Sequence, residues 1–142
     1  MSDFTVHLVS WKDAAPLLRS IREAVFIREQ GVPPEMEWDG EDESSRHVLV
    51  LASNGDAIGC GRITPAGQIG RVAVLPEWRG KRIGSGIVEA LLEYAHSQDY
   101  QLLEINSQVH TASLYRKFDF SEVGEVFMDA DIPHIKMQLL LD

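Results

Sequence analysis

Residues 71–86 read RVAVLPEWRGKRIGSG, an apolar run that passes through a turn rich in glycine and cations into the start of a helix. The apolar run ends at Leu75, and the cations Arg79, Lys81 and Arg82 follow it. Backbone N–H groups at a helix N-terminus are unpaired and lie at the positive end of the helix dipole. The segment therefore predicts a strand, a turn and a helix, with an anion such as pyrophosphate at the turn.

The apolar residues after this turn recur at helical spacing and predict an amphipathic helix of about four turns. They are Ile83, Ile87, Val88, Leu91, Leu92 and Ala95. A strand is predicted next, over residues 101–106. A strand, a helix and a strand of this length indicate that the two strands are parallel neighbours.

Three strands are predicted before the glycine-rich turn, and the third of them leads into it. Residues 47–51 and 57–64 are apolar runs, and Asn54-Gly55 between them is typical of a tight hairpin. A second turn leads into residues 68–75. We expect these strands to form an antiparallel meander.

The N-terminal part predicts a short strand over residues 4–9 and then a helix. Asp13 is the predicted N-cap, which places Pro16 in the first turn, where a missing N–H is harmless. The helix is expected to end near Glu29, before Gly31.

The C-terminal part predicts a short helix over residues 112–117 and strands over residues 121–127 and 135–140. Together with the segments above, these elements predict one α/β domain over residues 1–142 with a mixed sheet. The last strand alternates in part and is predicted at a sheet edge, where it would offer a pairing surface for a homodimer.

Composition restricts the class of function. The formal net charge of -9 argues against a nucleic-acid partner, which would require clustered Lys and Arg. The sequence shows no leader pattern and no apolar run of about 18 residues, so a cytoplasmic protein without a membrane partner is expected. The single cysteine, Cys60, excludes an internal disulfide and a cysteine-rich metal site, and it is predicted to be buried and unreactive. We predict no metal.

The turn over residues 79–84 is not a Walker loop. The pair Gly80-Lys81 is not followed by Ser or Thr, and the leading glycine of that motif is missing. The dinucleotide-binding spacing of glycines is also absent. Taken alone, a glycine-rich turn of this kind is as often a plain helix start as a phosphate site.

The same segment resembles the acetyl-CoA motif of the GNAT superfamily of N-acetyltransferases, which reads Gln or Arg, two residues, Gly, one residue, then Gly or Ala. Arg79 and Gly84 fill the first and last places, whereas Arg82 stands where the middle glycine is usual. The resemblance covers nearly the whole chain and includes features of a small bacterial single-domain subgroup. These features are VFIREQGVP at 25–33, LYRKFDF at 114–120 and IPHIKM at 132–137.

The resemblance implies a mostly antiparallel sheet with a central parallel pair that splays around acetyl-CoA, because the fourth strand carries a bulge. It implies that Val72, Ala73 and Val74 pair with the pantetheine arm and that the Val74 amide polarises the thioester carbonyl. Asn106 would meet the cofactor from the other wall. The implied pyrophosphate site consists of Arg79, Gly80, Lys81, Arg82, Ile83, Gly84 and Ser85.

The resemblance also implies direct attack of an amine on the thioester within a ternary complex. Tyr115 matches the general acid that protonates the departing thiolate; its alternative role is a core aromatic. Glu29, Glu104 and His134 are candidates for the base. Each has an alternative role. Glu29 would face solvent, Glu104 would be a charge on the surface of its strand, and His134 would anchor the turn before the last strand.

The acceptor is expected to be the primary amine of a small molecule or peptide. An acidic segment follows the first helix, and we hypothesise that it attracts a cationic amine; the alternative is a solvated surface loop. Its members are Glu35, Glu37, Asp39, Glu41 and Asp42. Two other functions stay open, namely a non-catalytic acyl-CoA sensor or interaction module and a protein that binds another nucleotide or phosphate.

Overall fold

A computed structural model describes residues 3–141, and its seven strands form one sheet in the order β1-β2-β3-β4-β5-β7-β6. The strands are β1 (Phe4–Ser10), β2 (Arg46–Ala52), β3 (Ala57–Ile63), β4 (Gln68–Val74), β5 (Leu102–Gln108), β6 (Ser121–Asp129) and β7 (Ile132–Leu140). The helices are α1 (Trp11–Arg22), α2 (Pro34–Glu37), α3 (Ile83–Ser97) and α4 (Ala112–Arg116), and α1 continues as a π-helical segment (Glu23–Glu29).

The pairing of the strands confirms the predicted mixed sheet. Strands β1 to β4 are consecutive antiparallel neighbours, and β4 and β5 form the parallel pair that the crossover through α3 predicts. Strand β7 then pairs antiparallel with both β5 and β6.

Helices cover both faces of the sheet, so alternate residues of the central strands are buried on opposite sides. Val48 and Val50 of β2 belong to the apolar cluster beneath α3, whereas Leu49 belongs to the cluster beneath α1. Helix α3 lies close to β3: a Cβ on Gly61 would come within 2.5 Å of Ile87 Cγ2. This close approach requires glycine in β3.

Cys60 of β3 confirms the prediction of a buried thiol. It is 1% exposed, and burial raises its pKa to about 12. Its Sγ donates a hydrogen bond to the Arg71 carbonyl over 3.2 Å. A thiol with so high a pKa forms little thiolate at neutral pH and is a poor nucleophile.

The start of α1 differs from the prediction. Ser10 is the N-cap, and its Oγ accepts a hydrogen bond from the Asp13 backbone N–H over 3.2 Å. Pro16 consequently falls inside the helix rather than in its first turn, so its missing N–H leaves the Lys12 carbonyl without the usual helical partner. The predicted end near Glu29 is confirmed, since the π-helical segment ends at that residue.

The prediction that the last strand lies at a sheet edge is wrong. Strand β7 is bonded on both sides, and β6 is the edge strand. The pairing surface that was expected over residues 135–140 is therefore already occupied within the sheet. Within residues 3–141, the helices are too short or too polar to span a bilayer.

Candidate functional site

Strands β4 and β5 separate soon after they meet, and a cleft opens between them. Their pairing is confined to Gln68 opposite Glu104 and Ile69 opposite Ile105. Beyond Ile69, the edge of β4 that faces β5 has no strand partner in the described part of the chain. Its backbone groups are therefore available to a ligand in the cleft.

A bulge in β4 explains the separation. Ala73 pairs with Cys60, but Gly70 pairs with Arg62, so β4 has one more residue than β3 over this stretch. Arg71 in the bulge has a φ of +53°. A bulge bends its strand and increases the local twist, which turns β4 away from β5. The bulge expected from the resemblance is confirmed.

The cleft has a volume of about 740 Å³ and lies between the two strands, the start of α3, α4 and the π-helical segment. The predicted site residues that line it are Val72, Ala73, Val74, Arg79, Gly80, Arg82, Ile83, Gly84, Ser85, Asn106 and Tyr115. Lys81 is not in the lining; its Nζ lies 5.8 Å from the centre of the Trp78 ring. The fold thus brings all but one of these residues to a single cleft.

The N-terminus of α3 opens on this cleft. The first N–H groups of the helix, those of Ile83, Gly84 and Ser85, have no partner within the helix, and the side chain of the N-cap residue Arg82 does not bond to them. Arg82 precedes them at φ +66° and ψ +19°, and Gly80 has φ +79°. Arg82 thus adopts the left-handed conformation that glycine favours, which explains why the family pattern has glycine there.

The Arg79 side chain is used within the protein. Its two Nη atoms donate to the Glu29 carboxylate over 2.7 and 2.8 Å, and its Nε donates to the Val74 carbonyl over 3.0 Å. The hydrogen bonds from Arg79 hold the pKa of Glu29 below its usual value. Arg79 therefore joins the end of β4 to the π-helical segment, and its charge is matched by Glu29.

Tyr115 of α4 is 4% exposed and packs edge-on against Phe120, with ring centres 6.1 Å apart. Burial raises the pKa of its phenol, which keeps the hydroxyl protonated at neutral pH. Tyr115 lines the cleft, and within residues 3–141 its hydroxyl has no hydrogen-bond partner. Tyr115 can donate a proton or a hydrogen bond into the cleft.

The three candidate bases have different surroundings. Glu29 is paired with Arg79 as described above. Glu104 accepts a hydrogen bond from Gln138 over 2.7 Å and lies 3.7 Å from Lys136 Nζ, and it is not among the residues that line the cleft. His134 is 8% exposed and does line the cleft.

Six charged side chains beside the cleft form a ring that the sequence did not predict, and four of the six line the cleft. The arginine–carboxylate ring alternates in charge, and its six nitrogen–oxygen contacts measure 2.6 to 3.2 Å. In order around the ring its members are Arg22, Glu37, Arg71, Asp39, Arg62 and Asp42. Arg71 Nε lies 3.0 Å from Glu37 but its N–H is not aligned with the oxygen, so this contact is an ion pair only.

The ring corrects the hypothesis about the acidic segment. Glu37 and Asp42 are buried, and each carboxylate of the ring contacts two arginines. Burial raises the pKa of Asp39 and Asp42, but hydrogen bonds from the arginines outweigh it and hold both values below the usual range. Three acids that were expected to attract an amine are therefore neutralised by three arginines, and only Glu35 and Glu41 of the proposed set remain exposed and outside the ring.

One sequence signal pointed to the ring. Arg22 shares the apolar face of α1 with Leu18 and Ile21, at the spacing that buries a side chain, and Val25 continues this face in the π-helical segment. A buried arginine requires an acidic partner. The Arg22 guanidinium also packs over an aromatic ring. It lies 4.9 Å from the centre of the Trp38 ring.

This cleft geometry agrees with the comparisons with known proteins. The family model for the acetyltransferase (GNAT) domain matches residues 15–141. The chain belongs to the GNAT acetyltransferase family. It is 32% identical to the uncharacterised N-acetyltransferase YjcF of Bacillus subtilis over 121 residues, which cover 82% of this chain and 86% of YjcF.

Solved structures share the GNAT fold. The crystal structure of Escherichia coli ElaA is 29% identical and has a TM-score of 0.84, covering 94% of this chain and 98% of ElaA. A structure from Lactobacillus plantarum has a TM-score of 0.88 at 19% identity and covers 99% of both chains, which shows the fold alone. As a GNAT acetyltransferase, the chain is an acyltransferase of a family that transfers acyl groups from CoA-linked donors to amines.

Proposed function

We propose that the chain transfers an acetyl group from acetyl-CoA to the primary amine of a small molecule or peptide, by direct attack within a ternary complex. The observation that carries this proposal is the separation of β4 from β5 after Ile69. It leaves an unpaired β4 backbone and the N-terminus of α3 facing one cleft. A ligand with amide groups in an extended arm and a pyrophosphate fits both features. We also propose that residues 1–142 act as one domain.

The residues present fit such a ligand. Val72, Ala73 and Val74 would pair their free backbone groups with the pantetheine arm. The Val74 carbonyl is already bonded to Arg79, and the Val74 N–H would polarise the thioester carbonyl. Asn106 would contact the arm from the β5 side. The pyrophosphate would accept hydrogen bonds from the backbone between Arg79 and Ser85, through Gly80, Lys81, Arg82, Ile83 and Gly84. Acetyl-CoA supplies the activated acetyl group.

The Arg79 side chain has an indirect role in this arrangement. Its hydrogen bond to the Val74 carbonyl fixes the end of β4, and its pair with Glu29 fixes the π-helical segment on the other side of the cleft. In the described part of the chain, three cations near this turn form no ion pair: Lys81, Arg82 and Lys117, whose Nζ donates to Ser85 Oγ over 3.1 Å. Their charges would attract the anionic ligand in a chain whose net charge is -9.

Tyr115 would protonate the leaving sulfur. Replacement by Phe keeps the ring and its packing against Phe120 but removes the proton. We expect kcat of Tyr115→Phe to fall on the order of 10²-fold, as is typical for loss of a general acid, with the Kd for acetyl-CoA unchanged. Acetylated products are measured by mass spectrometry with acetyl-CoA and a panel of small amines and peptides.

Tyr94→Phe is the matched control, because Tyr94 is half-buried on α3 and lies outside the cleft lining. It should retain the wild-type kcat. Binding of acetyl-CoA without transfer to any amine would contradict the enzymatic proposal and would favour an acyl-CoA sensor.

A further inference from the structure

The structure separates the three groups that were candidates for accepting the proton of the acceptor ammonium. Glu29 is already engaged by two hydrogen bonds from Arg79, which stabilise its ionised form and weaken it as a base. Glu104 lies outside the cleft lining and contacts Gln138 and Lys136. His134 alone of the three lines the cleft without a charged partner among residues 3–141.

The fold holds the His134 ring in a fixed orientation. His134 lies on β7 opposite Gln108, at the end of β5 where β4 and β5 are separated. Its imidazole stacks on Phe127 of β6, with ring centres 5.8 Å apart and planes 27° apart. The ring nitrogen Nδ1 lies 2.7 Å from the Ile132 carbonyl oxygen. Packing and hydrogen bonding therefore fix both the position and the plane of the imidazole.

The hydrogen bond of Nδ1 also assigns the tautomer. A carbonyl oxygen only accepts, so Nδ1 must carry the proton. In the neutral imidazole, Nε2 then has the free lone pair. No group in the described ranges hydrogen-bonds to Nε2, and His134 is one of the residues that line the cleft. A fixed imidazole with a free Nε2 in the cleft has the geometry of a general base.

We propose that His134 is the general base of the acetyl transfer, a proposal that rests on the function proposed above. Nε2 takes one proton from the acceptor ammonium, directly or through one water, and the neutral amine results. The amine nitrogen bonds to the acetyl carbonyl carbon as the carbon–sulfur bond breaks. The leaving sulfur takes the Tyr115 proton, the second amine proton returns to Tyr115 through water, and the imidazolium releases its proton to solvent.

His134→Asn tests the proposal, because the Asn amide can still donate to the Ile132 carbonyl while no basic nitrogen remains. At pH 7 we expect kcat/KM to fall on the order of 10²-fold, with the Kd for acetyl-CoA unchanged. The deficit should narrow by about tenfold for each pH unit above 7, because the neutral fraction of an amine with a pKa near 10.4 rises by that factor.

The control for the pH profile is His96→Gln, because His96 is exposed on α3 and lies outside the cleft lining. The titratable groups that line the cleft on elements packed against β7 are His110, in the turn after β5, and Asp129 of β6; β5 contributes the uncharged Ser107 and Gln108 there. Across the cleft lies Glu29, paired with Arg79. His96→Gln should keep the wild-type profile, and His134→Gln replaces the Asn variant if the latter is unfolded.

A His134 variant with kcat/KM within about threefold of wild type at pH 7, or with a deficit that is constant across pH, would overturn the assignment. Wild-type protein that acetylates no amine would overturn both this assignment and the proposed function. Wild-type activity together with an unaffected variant would overturn only the role of His134.

Discussion

Two groups of cationic side chains lie at or beside the cleft and use their charges in opposite ways. In the arginine–carboxylate ring, three arginines contact three acids, and most of the side chains are buried. At the turn before α3, Lys81 and Arg82 are exposed and have no acidic partner among residues 3–141. The matched charges hold segments of the protein together beside the cleft, whereas the unmatched charges are the ones that we propose attract an anionic ligand.

Arg79 shows that sequence position alone does not decide between these two uses. It belongs to the glycine-rich turn by sequence, but its guanidinium is matched by Glu29. Its role is therefore closer to that of the ring arginines. The comparison predicts that ring substitutions act chiefly on stability and turn substitutions chiefly on ligand binding.

The largest effect is expected from Arg22→Met, which removes a cation that is 1% exposed and leaves Glu37 and Asp42 each with one arginine fewer. Loss of one partner of a buried ion pair costs about 3–5 kcal/mol of unfolding free energy. Urea denaturation measures this loss. Arg116→Met is the matched control, because it breaks the exposed pair with Glu122 and should cost less than about 1 kcal/mol. Equal effects of the two variants would contradict the account of the ring.

A smaller effect with a defined pH dependence is expected from Asp42→Asn. The folded-state pKa of Asp42 lies below its unfolded value, so its carboxylate stabilises the fold above the unfolded pKa of about 3.9. This stabilisation is lost as the pH falls through the folded value. The difference in unfolding free energy between wild type and variant should therefore be largest near pH 7 and shrink below about pH 4. A difference that does not change between pH 7 and pH 3 would show that Asp42 acts through packing.

The smallest effect on stability is expected at Arg82. Its left-handed conformation costs about 1 kcal/mol for any residue with a Cβ, so Arg82→Gly should be more stable than Arg82→Ala by about that amount. Both variants lack the cation and should bind acetyl-CoA more weakly than wild type to the same degree. Urea denaturation and titration calorimetry measure the two quantities. Weaker binding by Arg82→Ala alone would mean that the conformation of the turn, rather than its charge, holds the ligand.

The parts of the fold with local signals were predictable. Gly80, the cations and the helical apolar spacing after Ile83 indicated the turn and α3, and the length of the crossover indicated the parallel pair. The predicted N-cap of α1 was wrong. Ser10 and Asp13 are both favourable N-cap residues, and only the backbone conformation decides between them.

The parts that depend on distant partners were not predictable in the same way. Arg22, Asp42 and Arg71 come from three separate segments, and no short-range pattern pairs them. The order of β6 and β7 also had no strong signal, although the acids in β6 are typical of an edge strand. Placement of Tyr115 and Asn106 in the cleft came from the family resemblance, since their local patterns fit a core aromatic or a surface polar residue equally well.

The most direct test of the central claim, that the cleft between β4 and β5 binds acyl-CoA, is the thermal stability of the purified protein against increasing acetyl-CoA, with CoA and ATP as controls. The account predicts a saturable rise with both CoA ligands, equivalent to about 2.7 kcal/mol at a concentration one hundred times Kd, and little change with ATP. No rise with acetyl-CoA, or an equal rise with ATP, would contradict it.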